Sequence, residues 1–264
     1  ANTGQENEET LLFVQWVSDH FGIPVIWVEA VVNPEKRKGT THKVVDFKTA
    51  NRIGDPFEDV IKKYGIPNAS YLHCTRELKQ QPMYSYVKRV LEWKKGEFDV
   101  AIGIRGDEID RMDAKYEEKN FIYPLISMIP ASKPMVNEWW AKQPRRLRLK
   151  GYQGNCKWCW KKSLRKHLTI HSEHPEFYDF PERMEGLYGV SGHNVDGTKR
   201  VFMRKSLPIK DFRIIASDAD FVKADDDAAV YPEDDLFGYE LDIGQGCSES
   251  CDVQFEDFGD EVIE

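Results

Sequence analysis

The chain has 264 residues, 41% apolar and 31% charged, enough for one large domain or a domain with an appendage built on a packed core. Its net charge of −8 hides a split: residues 217–264 carry 17 acidic residues against one lysine, which leaves residues 1–216 at +8. Apolar runs such as 25–32 are far too short to span a bilayer and no secretory h-region opens the chain; with five cysteines, an odd number, a reducing, cytoplasmic setting is expected over a membrane or a disulfide framework.

The first ten residues read as a loop entering a helix, with Thr3 or Asn7 as cap and glutamates at the positive end. Leu11, Leu12, Val14, Trp16 and Val17 give that helix its apolar face, and Gly22 and Pro24 close it. The run 25–32 reads as a strand buried on both faces. Residues 33–55 read as a mobile basic loop, 56–64 as a short helix closed by Gly65, and 69–73 as an extended piece leading to Cys74. A helix is expected over 77–95. A second buried strand follows over 98–104, ending at the polar turn Arg105-Gly106-Asp107-Glu108. A third apolar stretch covers 121–130, and a short helix with Trp139 and Trp140, read as core, covers 134–141.

Helices alternating with apolar strands predict an α/β fold, a largely parallel sheet flanked by helices. Ligands of such sheets bind beyond the C-terminal strand ends, where Arg105, Asp107 and Glu108 would stand; the competing reading is a salt bridge from Arg105 to Asp107 or Glu108. The predicted organisation is a core over 1–130, a basic region over 131–216 packed on it, and an acidic tail over 217–264 that carries Cys247 and Cys251. Residues 161–168 and 183–187 read as helices, 186–197 as loop, and 201 onward as a short hairpin.

The chemistry centres on Gly151-Tyr152-Gln153-Gly154-Asn155-Cys156-Lys157-Trp158-Cys159-Trp160-Lys161-Lys162-Ser163, a C-x-x-C between glycines and lysines. Two thiols at that spacing can meet one metal ion or bond to each other, and nearby lysines are expected to lower their pKa. From residue 142 to 166 there are ten basic residues and no acidic one, a run that would wrap an anionic substrate, bind nucleic acid with its tryptophans stacking on bases, or form a solvated face.

Four motifs in order carry a resemblance: Thr3-Gly4 with Glu9-Thr10; Cys74-Thr75-Arg76-Glu77-Leu78-Lys79 with Pro82; Gly103-Ile104-Arg105; and Gly151-Tyr152 with Cys156 and Cys159. Together, over roughly residues 1–185, they resemble the phosphoadenosine phosphosulfate (PAPS) reductase family in its phage and bacterial branch, one of the adenine-nucleotide α-hydrolase-like folds. The resemblance implies that Thr3, Gly4 and Glu9 line a nucleotide site, that Arg105 and Lys79 hold the anionic end of ATP or PAPS, and that cysteines hold a 4Fe–4S cluster or zinc. Here the family's cysteine pair is reduced to Cys74 followed by Thr75. Cys74, Cys156 and Cys159 then make three ligands, with Cys251, Cys247 or one of His167, His171 and His174 as the fourth; the other set is Cys156, Cys159, Cys247 and Cys251.

The family's Ser-Gly-Gly-x-Asp-Ser phosphate loop would precede Ala1, so the chain reads as a fragment or processed product that binds nucleotide poorly by itself. The expected function is sulfur transfer or reduction on an adenine nucleotide or phosphosulfate. The alternative is a nucleic-acid-associated protein with a structural zinc site.

Overall fold

The structure, a computed structural model, describes residues 1–154, 156–190, 197 and 199–226. Cys247, Cys251 and the acidic tail beyond residue 226 lie outside the described residues.

Helix α1 (Glu8–Phe21) begins at Asn7, carries Glu8 and Glu9 in its first turn, and ends on Gly22 at φ 63°, whose N–H returns to Ser18 O. That left-handed position suits glycine, and the acidic first turn faces the helix's positive end. Strand β1 (Trp27–Val31) pairs antiparallel with β2 (Thr41–Val45). The stretch 33–55, expected as loop, therefore contains a strand. Helix α2 (Asp55–Tyr64) starts after Asn51, whose Oδ1 accepts the N–H groups of Ile53, Gly54 and Asp55 at 2.8–3.2 Å.

The next helical stretch starts earlier and ends earlier than its apolar pattern suggests. It opens with α3 (His73–Thr75), widens into a π-helical turn at Arg76–Gln80, and continues as α4 (Gln81–Arg89). Pro82 has no N–H to offer Leu78 O and its ring crowds that carbonyl, so a regular α-turn is disfavoured just there. The wide turn absorbs the break, with Gln81 N–H bonded to Arg76 O.

The expected largely parallel sheet is overturned. Among the described residues there are two two-stranded sheets: the antiparallel β1–β2 pair, and a parallel pair of β3 (Val100–Ala101) with β4 (Phe121–Ile122). The run 25–32 is not buried on both faces either, because Ile26 and Val31 are exposed and the buried centre of β1 includes a carboxylate, Glu29, at 2% exposure. Of the apolar run 98–104 only two residues pair, while Ile104 leaves the strand to pack with Phe121 and Tyr123 in a small separate cluster. Apolar runs report burial; they do not specify a hydrogen-bonding partner.

After β4 come α5 (Pro124–Ser127) and α6 (Lys133–Ala141). Trp139 and Trp140, read as core, stand instead on a partly exposed aromatic ridge with Phe13 and Phe21 of α1; Trp139 is 49% exposed. Helices α7 (Leu164–Glu173), α8 (Asp179–Tyr188) and α9 (Ile209–Asp218) complete the described chain. The expected hairpin beyond residue 201 is thus a helix: Ile209, Phe212 and Ala216 recur at helical spacing and are buried. The main core draws on both ends of the chain, joining Phe57, Val60, Ile61 and Leu78 to Trp158, Tyr178, Phe202 and Phe212.

Candidate functional site

The residues before α1 form the seam on which the site is built. Asn2 bridges β1 in parallel, its N–H on Val28 O at 2.8 Å, and its side chain donates to the buried Glu29 carboxylate at 2.7 Å. On the other side Glu6 bridges Cys156 in antiparallel fashion, and Lys157 N–H donates to Gln5 O at 2.9 Å. The Trp158 indole N–H reaches Gln5 Oε1 at 2.6 Å, and Asn7 Nδ2 reaches Gln153 O at 2.9 Å. Two segments separated by about 150 positions are thereby locked side by side.

Behind that seam lies a pocket. Its walls are Cys74, Thr75, Leu78 and Lys79 of the helical stretch with the π-turn, Thr3 of the seam, Phe57 of α2, and Cys156, Trp158, Cys159, Trp160 and Lys161. The three cysteines are thiols. Cys156 and Cys159 sit at the two ends of a tight turn closed by Cys159 N–H on Cys156 O at 3.1 Å, and Lys162 N–H continues it onto Cys159 O at 3.0 Å. Thr3 Oγ1 lies 3.7 Å from Cys156 Sγ. The π-turn is held from behind by the buried Glu77 carboxylate, which accepts from Thr40 Oγ1 and from Arg76 Nε.

Burial pushes the Cys156 thiol up, and the Glu6 carboxylate beside it adds to this; the charge of Lys79 acts in the opposite direction and loses. The expected lowering of this thiol's pKa by lysines is therefore reversed at Cys156. Lys162 Nζ donates to Gly154 O, and Lys161 Nζ stands 5.6 Å over the Trp160 ring.

Thr3, Lys79, Cys74, Cys156 and Cys159 thus share one pocket. The remaining candidates lie elsewhere. Gly4, at φ 79°, packs against the Gly54 backbone, where an added Cβ would come within 2.9 Å; its role there is close packing. Glu9 is ion-paired with Arg145 at 3.3 Å. Arg105 is held by Asp107 at 3.0 Å and Glu108 at 3.2 Å. Burial opposes ionisation of Asp107, but the Arg105 bond and charge outweigh it and hold the carboxyl low. His167 bonds Tyr178 at 2.8 Å, His171 packs on Tyr178 and Phe212, and His174 pairs with Glu176 at 3.2 Å; all three are outside the pocket. Cys251 and Cys247 lie outside the described residues. Of the other wall residues, Trp158, Trp160 and Lys161 stand in the C-x-x-C stretch and Thr75 and Leu78 in the Cys74 motif, none of them assigned a ligand or substrate role from sequence; Phe57 of α2 lies outside every motif.

A cluster or zinc site was expected from the cysteines. Among the described residues no group of three or more His, Cys, Asp or Glu side chains is arranged to hold a metal ion. The three thiols line one pocket. The basic run is also largely engaged with the protein itself: Lys142 pairs with Glu138, Arg145 with Glu9, Lys150 with Glu173 at 2.9 Å and Arg165 with Asp225 at 3.5 Å, while Lys161 and Lys162 are buried. Among the described residues no helix is long and apolar enough to cross a membrane.

The fold and site define a helix-rich protein with small sheets and a thiol-lined pocket. Over 256 residues, 96% of this chain and 83% of the relative's length, it is 30% identical to the uncharacterized nin region protein ORF290 of Escherichia phage lambda. The chain belongs to the family of that phage protein. No protein-family model matches it, and no solved structure does.

Proposed function

We propose that this protein is a sulfur-transfer enzyme acting on an anionic adenine-nucleotide or phosphosulfate substrate at the Cys74–Cys156–Cys159 pocket. The observation that carries this reading is the meeting of three thiols and two lysines, from segments far apart in sequence, around one small pocket. Sulfur chemistry needs a thiol within reach of a bound anion, and Lys79 and Lys161 supply point charges for sulfate or phosphate oxygens. Thr3 adds a hydroxyl on the same wall.

In the proposed step a pocket thiol gives up its proton and attacks the sulfur of a phosphosulfate. The new S–S bond forms as the bond from sulfur to the bridging phosphate oxygen breaks. The phosphate leaves with that electron pair and takes the proton, and the protein carries an S-sulfonate. No change of oxidation state beyond this transfer is required, and no part of the step is routed through a metal.

The test uses the full chain, reduced and desalted, with 35S-labelled PAPS. Label on a pocket cysteine, recovered by peptide mass spectrometry as an S-sulfonate and lost in Lys79→Ala by at least tenfold, is the expected result. No label on Cys74, Cys156 or Cys159 at millimolar substrate would remove the reading. Iron, sulfide and zinc measured on the same anaerobic preparation decide whether the thiols hold a cluster or zinc: sulfur transfer with iron present would move the nucleophile to a different thiol, and stoichiometric zinc without label supports a structural site.

A further inference from the structure

We infer that Cys156 and Cys159 form a reversible dithiol–disulfide couple in the wall of the pocket, with Cys74 as the third, unconverted thiol. The inference uses the same pocket as the proposed sulfur transfer but does not depend on that reaction. Three observations carry it.

The first is local geometry. The hydrogen bond from Cys159 N–H to Cys156 O at 3.1 Å makes the two cysteines the ends of a four-residue turn. The Cα atoms at the ends of such a turn lie within about 7 Å, which overlaps the range of about 4.4–6.8 Å that a disulfide spans. The backbone separation of the two cysteines is therefore within a disulfide's range.

The second is anchorage. The turn is gripped on one side by Gln5, which receives Lys157 N–H and the Trp158 indole, and on the other by Lys162 N–H on Cys159 O. Trp158 and Trp160 are both buried. The turn is fixed by contacts that use neither sulfur, so it survives in both redox states.

The third is ring size. A four-residue ring gains little from loop-closure entropy, so its disulfide is readily reduced, as a working couple requires.

The exchange balances with a small disulfide as oxidant. One cysteine thiolate attacks the oxidant's S–S bond, giving a mixed disulfide and releasing one small thiol. The other cysteine then displaces the second small thiol and closes the intrachain bond. Two protein thiols are oxidised, one disulfide is reduced to two thiols, and the two protons end on the released thiols. In the oxidised state the pocket keeps only the Cys74 thiol.

The full chain is equilibrated anaerobically in glutathione buffers from fully reduced to fully oxidised, quenched with acid and N-ethylmaleimide, and mapped by mass spectrometry. The expected result is that Cys156 and Cys159 lose label together along one titration curve, that their peptides run as one disulfide-linked species, and that dithiothreitol restores both labels. Cys74→Ser should follow the same curve, whereas Cys156→Ser and Cys159→Ser should yield only a glutathione mixed disulfide. Full labelling of both cysteines in every buffer would overturn the inference. So would pairing of Cys74 with either one, or protection of both by stoichiometric zinc or iron. A couple that titrates in a protein forming no S-sulfonate keeps this inference and removes the sulfur-transfer reading; S-sulfonate without a couple does the reverse.

Discussion

Glu185 is a carboxylate set to receive two backbone N–H groups, Phe202 at 2.8 Å and Ile209 at 2.7 Å, and so pins the chain entering α9 onto α8. Burial nevertheless pushes its pKa from the usual 4.5 up to about 7, winning over those two bonds, and the charges of Glu182 and Asp211 add to the rise. A carboxyl that is harder to ionise in the fold than in the open chain contributes most below pH 4.5. That contribution drains away as the pH rises to about 7. His73 runs the other way: burial lowers it to about 4, so its contribution is present above 6.5 and fades as the pH falls. The two overlap in the native protein, but His73 cancels in a comparison with Glu185→Gln. The stability advantage of the native protein over that variant, measured by urea unfolding, should shrink between pH 4.5 and 7; an advantage that grows over this range would contradict the burial argument.

At the scale of elements, the site depends on how the segment before α1 is seated. Gly4 and Gly54 are both left-handed, at φ 79° and 96°, and their backbones touch. A Cβ on Gly54 would lie 2.4 Å from a ring carbon of Phe180 and 2.5 Å from Gln5 Nε2, the side chain whose oxygen holds Trp158. Gly22 has the same kind of backbone, at φ 63°, but open space around it. Gly54→Ala should therefore cost about 2–4 kcal/mol, strain plus overpacking, and Gly22→Ala only about 1 kcal/mol of backbone strain. Chemical denaturation of both variants checks the order. Equal costs would mean that the close approach at Gly54 relaxes freely. The π-turn is the other element that sets the site, since it presents Leu78 and Lys79 to the pocket while Glu77 ties its back to Thr40.

Over the whole molecule, the main core is closed by residues at the start of the acidic tail. Phe221 packs against it, Ala224 is buried with its N–H on Thr169 Oγ1 at 2.8 Å, and Asp226 accepts Gly151 N–H at 2.8 Å, at the entry to the C-x-x-C stretch. Asp225 lies 3.5 Å from Arg165 in the basic run. Acidic and basic halves of the sequence thus begin their contact within the described fold. A chain ending after Asp218 loses all of this, whereas one ending after Asp226 retains it. The shorter chain should be less stable than the longer by about 2–3 kcal/mol, from lost apolar burial and two hydrogen bonds, or roughly 5–10 °C in melting temperature. Identical melting curves would show that these contacts carry no net stability.

What the sequence determined by itself was local. The helices α1, α2 and α6 were legible because their signals lie within one or two turns: acidic residues at the start and Gly22 at the end of α1, Pro56 and Gly65 around α2, Pro134 opening α6. The spacing of Cys156 and Cys159 was legible for the same reason, since a four-residue turn is a local object. Strand pairing was not. The apolar runs 25–32 and 98–104 suggested one parallel sheet, yet one found an antiparallel partner in a polar stretch and the other paired over two residues. Hydrophobicity says that a segment is covered, and only the competition among all segments decides by what. Arg105 is a local case, claimed by Asp107 and Glu108 two and three residues on, as the competing reading of the sequence had it. The thiol of Cys156 is not local: neighbouring lysines predicted a low pKa, but burial against the seam and the carboxylate of Glu6, some 150 positions away, raised it. Desolvation depends on everything packed around a group, and no stretch of sequence contains that information.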